Sequence, residues 1–187
     1  QAASADCRNA SSLLSLLIYA HNLKDRRPDN ELNRLHAAML ERTNLALEHC
    51  GSFVQLLGFD PKIHFGKPNA ANQDVYGMVM WSILFLDALA IPGLNLPADT
   101  EGFITRLWRY LGTYPIQDAT TFEDGASDAT FYDLAYLMTH VGYMPTGYGR
   151  FALSVDSGPW LYRFLRANFY AVLEYGELDL TAEFLDL

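Results

Sequence analysis

The chain has 187 residues, of which 50% are hydrophobic and 19% charged, and its formal net charge is −9. That length and apolar content suit one folded domain with a sizeable core and exclude disorder as a global state. Lysine occurs only as Lys24, Lys62 and Lys67, so no basic stripe exists to displace counterions from nucleic acid or to hold an anionic membrane surface.

The sequence begins at Gln1 with neither a Met nor a charged and apolar leader, which reads as a chain processed after a signal peptide or trimmed. The first predicted helix covers 5–23. Cys7, Ala10, Leu14, Leu17 and His21 recur at steps of three and four and so share one face. Within it, Asn9-Ala10-Ser11 forms a glycosylation sequon, which has meaning only in a secreted eukaryotic protein. The polar segment 24–30 is a turn, where Pro28 stops one helix and Asp29 or Asn30 caps the next. The second helix spans 31–57, with Leu32, Leu35, His36, Met39, Thr43, Ala46, Cys50, Phe53, Val54 and Leu57 on its apolar stripe and Gly58 closing it.

Residues 60–72, with Pro61, Gly66 and Pro68, read as a loop. A helix over 72–90 is apolar nearly all round, which predicts the central and most buried element. Its apolar run is too short and too interrupted to span a membrane. Asp99 or Thr100 caps a fourth helix ending at Leu111, and 113–128 is a polar, acidic connection expected to flex at Gly125-Ala126-Ser127. A fifth helix occupies 129–141, with Asp133 as a candidate cap, and Gly142, Pro145, Gly147 and Gly149 then predict a loop over 142–150. A sixth fills 159–175, opened by Pro159 and closed by Gly176, and a seventh starts near Glu177. The last residues, 179–187, carry no cap, so the terminal turn either packs on the core or the parent protein continues.

No alternating strand pattern occurs. The expected fold is all-α, a single domain of about seven stacked antiparallel helices built as αα-hairpins. The order Thr139-His140-Val141, Tyr148-Gly149-Arg150-Phe151, Leu165-Arg166-Ala167-Asn168 and Glu183-Phe184-Leu185 resembles the C-terminal part of uncharacterised bacterial helical proteins. That resemblance covers under a third of the chain and implies a helical-repeat fold, with no activity attached.

Two constellations carry chemistry. The helices over 5–23 and 31–57 are joined by a short turn, so they should pack antiparallel, and residues at one height then have numbers of constant sum. Cys7 with Cys50 and His21 with His36 share the same sum. A register that allows a Cys7–Cys50 disulfide therefore also brings His21 level with His36. The disulfide would place the protein in an oxidising compartment, secreted or periplasmic, whereas two free thiols would leave a cytoplasmic one. The histidine pair, with His140 as third ligand, would take a transition metal ion such as Zn, Cu or Fe. No HxxH, HExxH or ExxH spacing supports that set.

The second constellation follows from 129–141. Asp133, Tyr136 and His140 fall on one face, opening onto Tyr143, Tyr148 and Arg150. Asp133, Tyr136, Tyr143, Tyr148 and Arg150 make a candidate small-molecule site with aromatic walls, in which Arg150 would clamp a carboxylate or phosphate. Carboxylates at 74, 87, 118, 123, 124 and 128 suggest glycoside or calcium chemistry only if two face one cleft, and the EF-hand spacing is absent. G-x-S-x-G, phosphate-cradling and C-x-x-C motifs are also missing. The expected function is a helical binding or scaffold domain with a protein or small-molecule partner. The alternative is a metal-assisted or small-molecule enzyme gathering His21, His36 and His140 beside the aromatic pocket.

Overall fold

A computed structural model of the chain describes residues 5–26, 29–65, 72–125 and 128–187. Their regular structure is all helical, with no strand among them. The α-helices are α1 (Ala5–Arg26), α2 (Asn30–Cys50), α3 (Phe53–Leu57), α4 (Asn72–Ala88), α5 (Thr100–Leu111), α6 (Ala129–Thr146), α7 (Pro159–Tyr175) and α8 (Leu178–Asp186). No helix among the described residues is long and apolar enough to cross a membrane.

The contacts divide the chain into two compact units, Gln1–Phe65 with Leu84–Thr105, and Gly66–Ile83 with Arg106–Leu187. In the first, α1 and α2 form the predicted hairpin. Asp29 caps α2, its carboxylate accepting from the N–H groups of Glu31 at 2.7 Å and Leu32 at 3.3 Å. Ala10, Leu14 and Leu17 of α1 are fully buried, as are Thr43 and Cys50 of α2. Asn44 fastens the chain after α4: its amide donates to the Gly93 carbonyl at 2.9 Å and its oxygen accepts from the Asn95 N–H at 2.8 Å. Phe53 stacks on Phe103 with ring centres 4.5 Å apart and meets Phe85 edge-on.

In the second unit α6, α7 and α8 pack together around Phe131, Leu137, Leu161, Phe164, Leu180 and Phe184, all buried. Asn168 is the polar pin of this core. Its amide donates to the Phe164 carbonyl at 2.8 Å and to the Asp118 carboxylate at 3.3 Å, while its oxygen accepts from the Ala119 N–H at 2.8 Å. A buried carboxamide with its valences met holds the acidic connection onto α7.

Several boundaries differ from expectation. The helix predicted over 31–57 breaks, because Gly51 takes a left-handed φ of 66° and Ser52 starts α3 anew by capping Gln55 N–H. The apolar stripe runs on through Phe53 and Leu57, so periodicity alone did not reveal the break. The predicted loop over 142–150 is helical as far as Thr146. Gly142, Tyr143 and Met144 are buried, and that packing outweighs the one backbone hydrogen bond Pro145 removes near the helix end. Gly142 is needed for close approach: a Cβ there would lie 2.7 Å from a Leu187 methyl carbon. The true stop is Gly147 at φ 58°, whose N–H reaches the Tyr143 carbonyl. Asp128, not Asp133, caps α6, accepting from Thr130 N–H at 2.7 Å. By burial α6 also exceeds α4, since every residue from Leu137 to Met144 is buried while α4 alternates with half-buried positions such as Tyr76, Met80 and Leu84. The turn at Pro28, the loop residues Gly66 and Pro68, and the hinge expected at Ala126 and Ser127 lie outside the described residues.

Candidate functional site

In the second unit, the first turns of α4 and the α6 face bearing Asp133 and Tyr136 border a half-open cavity of about 330 Å³ lined by Gln73, Tyr76, Asp133 and Tyr136. The helical spacing that put Asp133, Tyr136 and His140 on one face explains half of this lining. The other half comes from Gln73 and Tyr76, one turn apart on α4, which the sequence reading passed over. Tyr76 stood in a nearly all-apolar helix and read as core.

Behind the two phenols lies a polar network. The His140 Nδ1 stands 2.9 Å from the Tyr136 carbonyl oxygen, which can only accept, so Nδ1 carries a proton. In the neutral ring Nε2 is then an acceptor, and the Tyr76 hydroxyl 3.2 Å away donates to it. The Tyr76 and His140 rings meet edge to face at 4.9 Å. The Tyr136 hydroxyl donates to the Asp179 carboxylate of α8 at 2.7 Å. Thr139 donates to Glu183, whose carboxylate also lies 3.8 Å from His140 Nδ1.

This arrangement is electronegative. Burial, and then the Glu183 charge, raise the Tyr76 phenol above its ordinary pKa. Burial and the hydrogen bond to Asp179 raise that of Tyr136 further. The Glu183 carboxyl is itself held above the usual range, because burial outweighs the hydrogen bond from Thr139 and the nearby imidazole, and Asp179 and Glu177 push the same way. Among the described residues, no Lys or Arg lines the cavity.

Of the five residues expected to form one ligand site, Asp133 and Tyr136 are brought together here. Tyr143 is buried and stacks on Tyr148 with ring centres 5.0 Å apart. Arg150, expected to clamp an anion, instead turns its Nε to the Gly147 carbonyl at 2.7 Å. That contact fastens the turn after α6, where the carbonyls left over at a helix end attract a cation. Among the carboxylates weighed for hydrolysis or calcium, Asp128 is occupied as a helix cap and Asp118 with Asn168.

In the first unit, the α1–α2 register brings both predicted pairs together. Cys7 and Cys50 are paired at disulfide distance, with Cα atoms 5.5 Å apart. The His21 Nδ1 and His36 Nε2 stand 3.3 Å apart. His140 belongs to the other unit, where both its ring nitrogens face Tyr76 and Tyr136. Among the described residues no group of three or more His, Cys, Asp or Glu side chains is placed to hold a metal ion.

Compared with known proteins, the chain matches no family model, no curated protein and no solved structure.

Proposed function

We propose that the chain is a helical binding domain whose α4–α6 cavity holds a small molecule. The observation that supports this is the cavity's make-up: aromatic walls from Tyr76 and Tyr136, with their polar tips tied to His140 and Asp179 behind them. Its volume of about 330 Å³ falls at the lower end of ligand sites, which suits a compact ligand. The Cys7–Cys50 pairing supports an oxidising compartment, secreted or periplasmic, as the place where the domain works.

The test is a fragment screen by protein-observed NMR, repeated on Tyr136→Arg, which fills the cavity with a longer side chain. Fragments that move amide signals of 73–76 and 133–136 in the native protein, and lose that effect in the variant, are expected. If every fragment that binds does so equally well to Tyr136→Arg, the cavity is not the binding site.

The alternative, a metal-assisted enzyme, draws support from one observation, the 3.3 Å approach of His21 and His36. Two imidazoles would hold an ion such as Zn or Cu with water completing its shell. Titration of the native protein and of His36→Ala with Zn(II) and Cu(II) decides it: equal binding by both proteins removes this reading.

A further inference from the structure

The hydrogen-bond directions around the cavity restrict the chemistry of what it can bind. Each phenol has a single proton, and both protons point away from the ligand space. Tyr76 gives its proton to His140 Nε2 and Tyr136 gives its proton to Asp179. What the two oxygens retain is acceptor capacity. The Asp133 carboxylate offers acceptor oxygens, and among the described residues it has no hydrogen-bond or ion-pair partner. Gln73 adds a carboxamide, whose oxygen accepts and whose NH2 donates. A ligand seated here meets acceptors, a carboxylate and two aromatic rings, with Asp179 and Glu183 adding negative potential from behind.

An anionic ligand would find no cationic side chain among the described lining residues and would lie against like charge. A neutral acceptor, such as a ketone or ether, would find the Gln73 amide as its one donor group among the described lining residues and would leave the Asp133 carboxylate without a donor. An ammonium group satisfies every one of these constraints. It donates to the Asp133 carboxylate and the phenol oxygens, and its charge is attracted by the ring faces.

We propose that the cavity lined by Gln73, Tyr76, Asp133 and Tyr136 binds a small protonated amine. The inference rests on the reading of this cavity as a ligand site and names the class of ligand. Asp133 is the counter-ion, the two tyrosines form the wall, and His140 is a positioning residue that keeps the Tyr76 proton turned inward.

The experiment compares three molecules of one shape on the intact chain at pH 7: benzylammonium, benzyl alcohol and benzoate. Binding is read from amide shifts of α4 and α6. Benzylammonium is expected to bind at least about tenfold more tightly than benzyl alcohol, the worth of one charge-assisted hydrogen bond, and benzoate not at all. Asp133→Asn, at an exposed position that leaves the fold intact, should remove most of the preference for the amine over the alcohol. His140→Gln should weaken benzylammonium binding, whereas the double variant Tyr76→Phe with His140→Gln should be no weaker than Tyr76→Phe alone. Benzyl alcohol or benzoate binding as tightly as the amine overturns the amine proposal while leaving the cavity a ligand site. Binding of none of the three, with fragment hits at the same amides, overturns it equally, and absence of fragment hits there overturns the ligand site itself.

Discussion

The His21 Nδ1 lies 3.3 Å from the His36 Nε2, and the antiparallel register that sets this distance also places Cys7 and Cys50 with Cα atoms 5.5 Å apart. One geometric relation thus accounts for two side-chain pairs toward opposite ends of the α1–α2 hairpin. The Thr43 hydroxyl, between them on α2, is within 3.5 Å of the Leu13 carbonyl on α1 and belongs to the same register.

The cross-link closes a loop across a sequence separation of 43 residues. Its loss should lower the stability of the first unit by about 2–4 kcal/mol. Chemical unfolding of the native protein with and without reductant, beside Cys7→Ser with Cys50→Ser, measures this. Two free thiols in the untreated protein by mass spectrometry would show that the bond is absent.

Asn168 bonds three backbone or side-chain partners from a position 1% exposed. Asn168→Ala leaves the Ala119 N–H without its acceptor and should cost about 2 kcal/mol, more than truncation of an exposed residue on the same helix. Urea midpoints of Asn168→Ala and Arg166→Ala make the comparison. Equal midpoints would mean that water replaces the amide without loss.

Glu183 supplies a pH dependence with a definite sign. Its folded-state pKa lies above the ordinary 4.5, chiefly because of burial. As pH rises through 4.5 the unfolded chain releases this proton first, so ionisation favours unfolding, and stability falls until the folded carboxyl has also ionised. Glu183→Gln should therefore lose less stability than the native protein as pH rises from about 4 towards neutrality, as measured by denaturant midpoints along the pH series. Parallel curves for the two proteins would assign the slope to other groups.

Backbone protection should follow burial. The amides of 137–144 in α6, a continuous buried run, are expected among the slowest to exchange, with those of 78–83 in α4 close behind. Fast exchange at 141–144 would indicate that the turn containing Pro145 opens locally.

Much of this protein follows from the spacing of its own residues. Pro159 and Gly176 bracket α7, and the helix occupies the span they predicted, because each acts through its own backbone: one lacks an N–H, the other tolerates a left-handed φ. The α1–α2 register was legible because a short turn leaves two helices little freedom in how they align. The hydrophobic period likewise placed Asp133 and Tyr136 on one face. Only tertiary structure decided which surface lies opposite that face. Gln73 and Tyr76 approach from α4, far away in the chain, and periodicity orients a helix about its own axis without naming its neighbour. The same limit explains the two misplaced boundaries. At Gly142 and Pro145 the local cost of glycine and proline was outweighed by burial against residues such as Leu187, whereas at Gly51 the unbroken apolar stripe concealed a residue that had left the helix. Local cost is written in the sequence, but whether packing overrides it depends on contacts that exist only after the chain has folded.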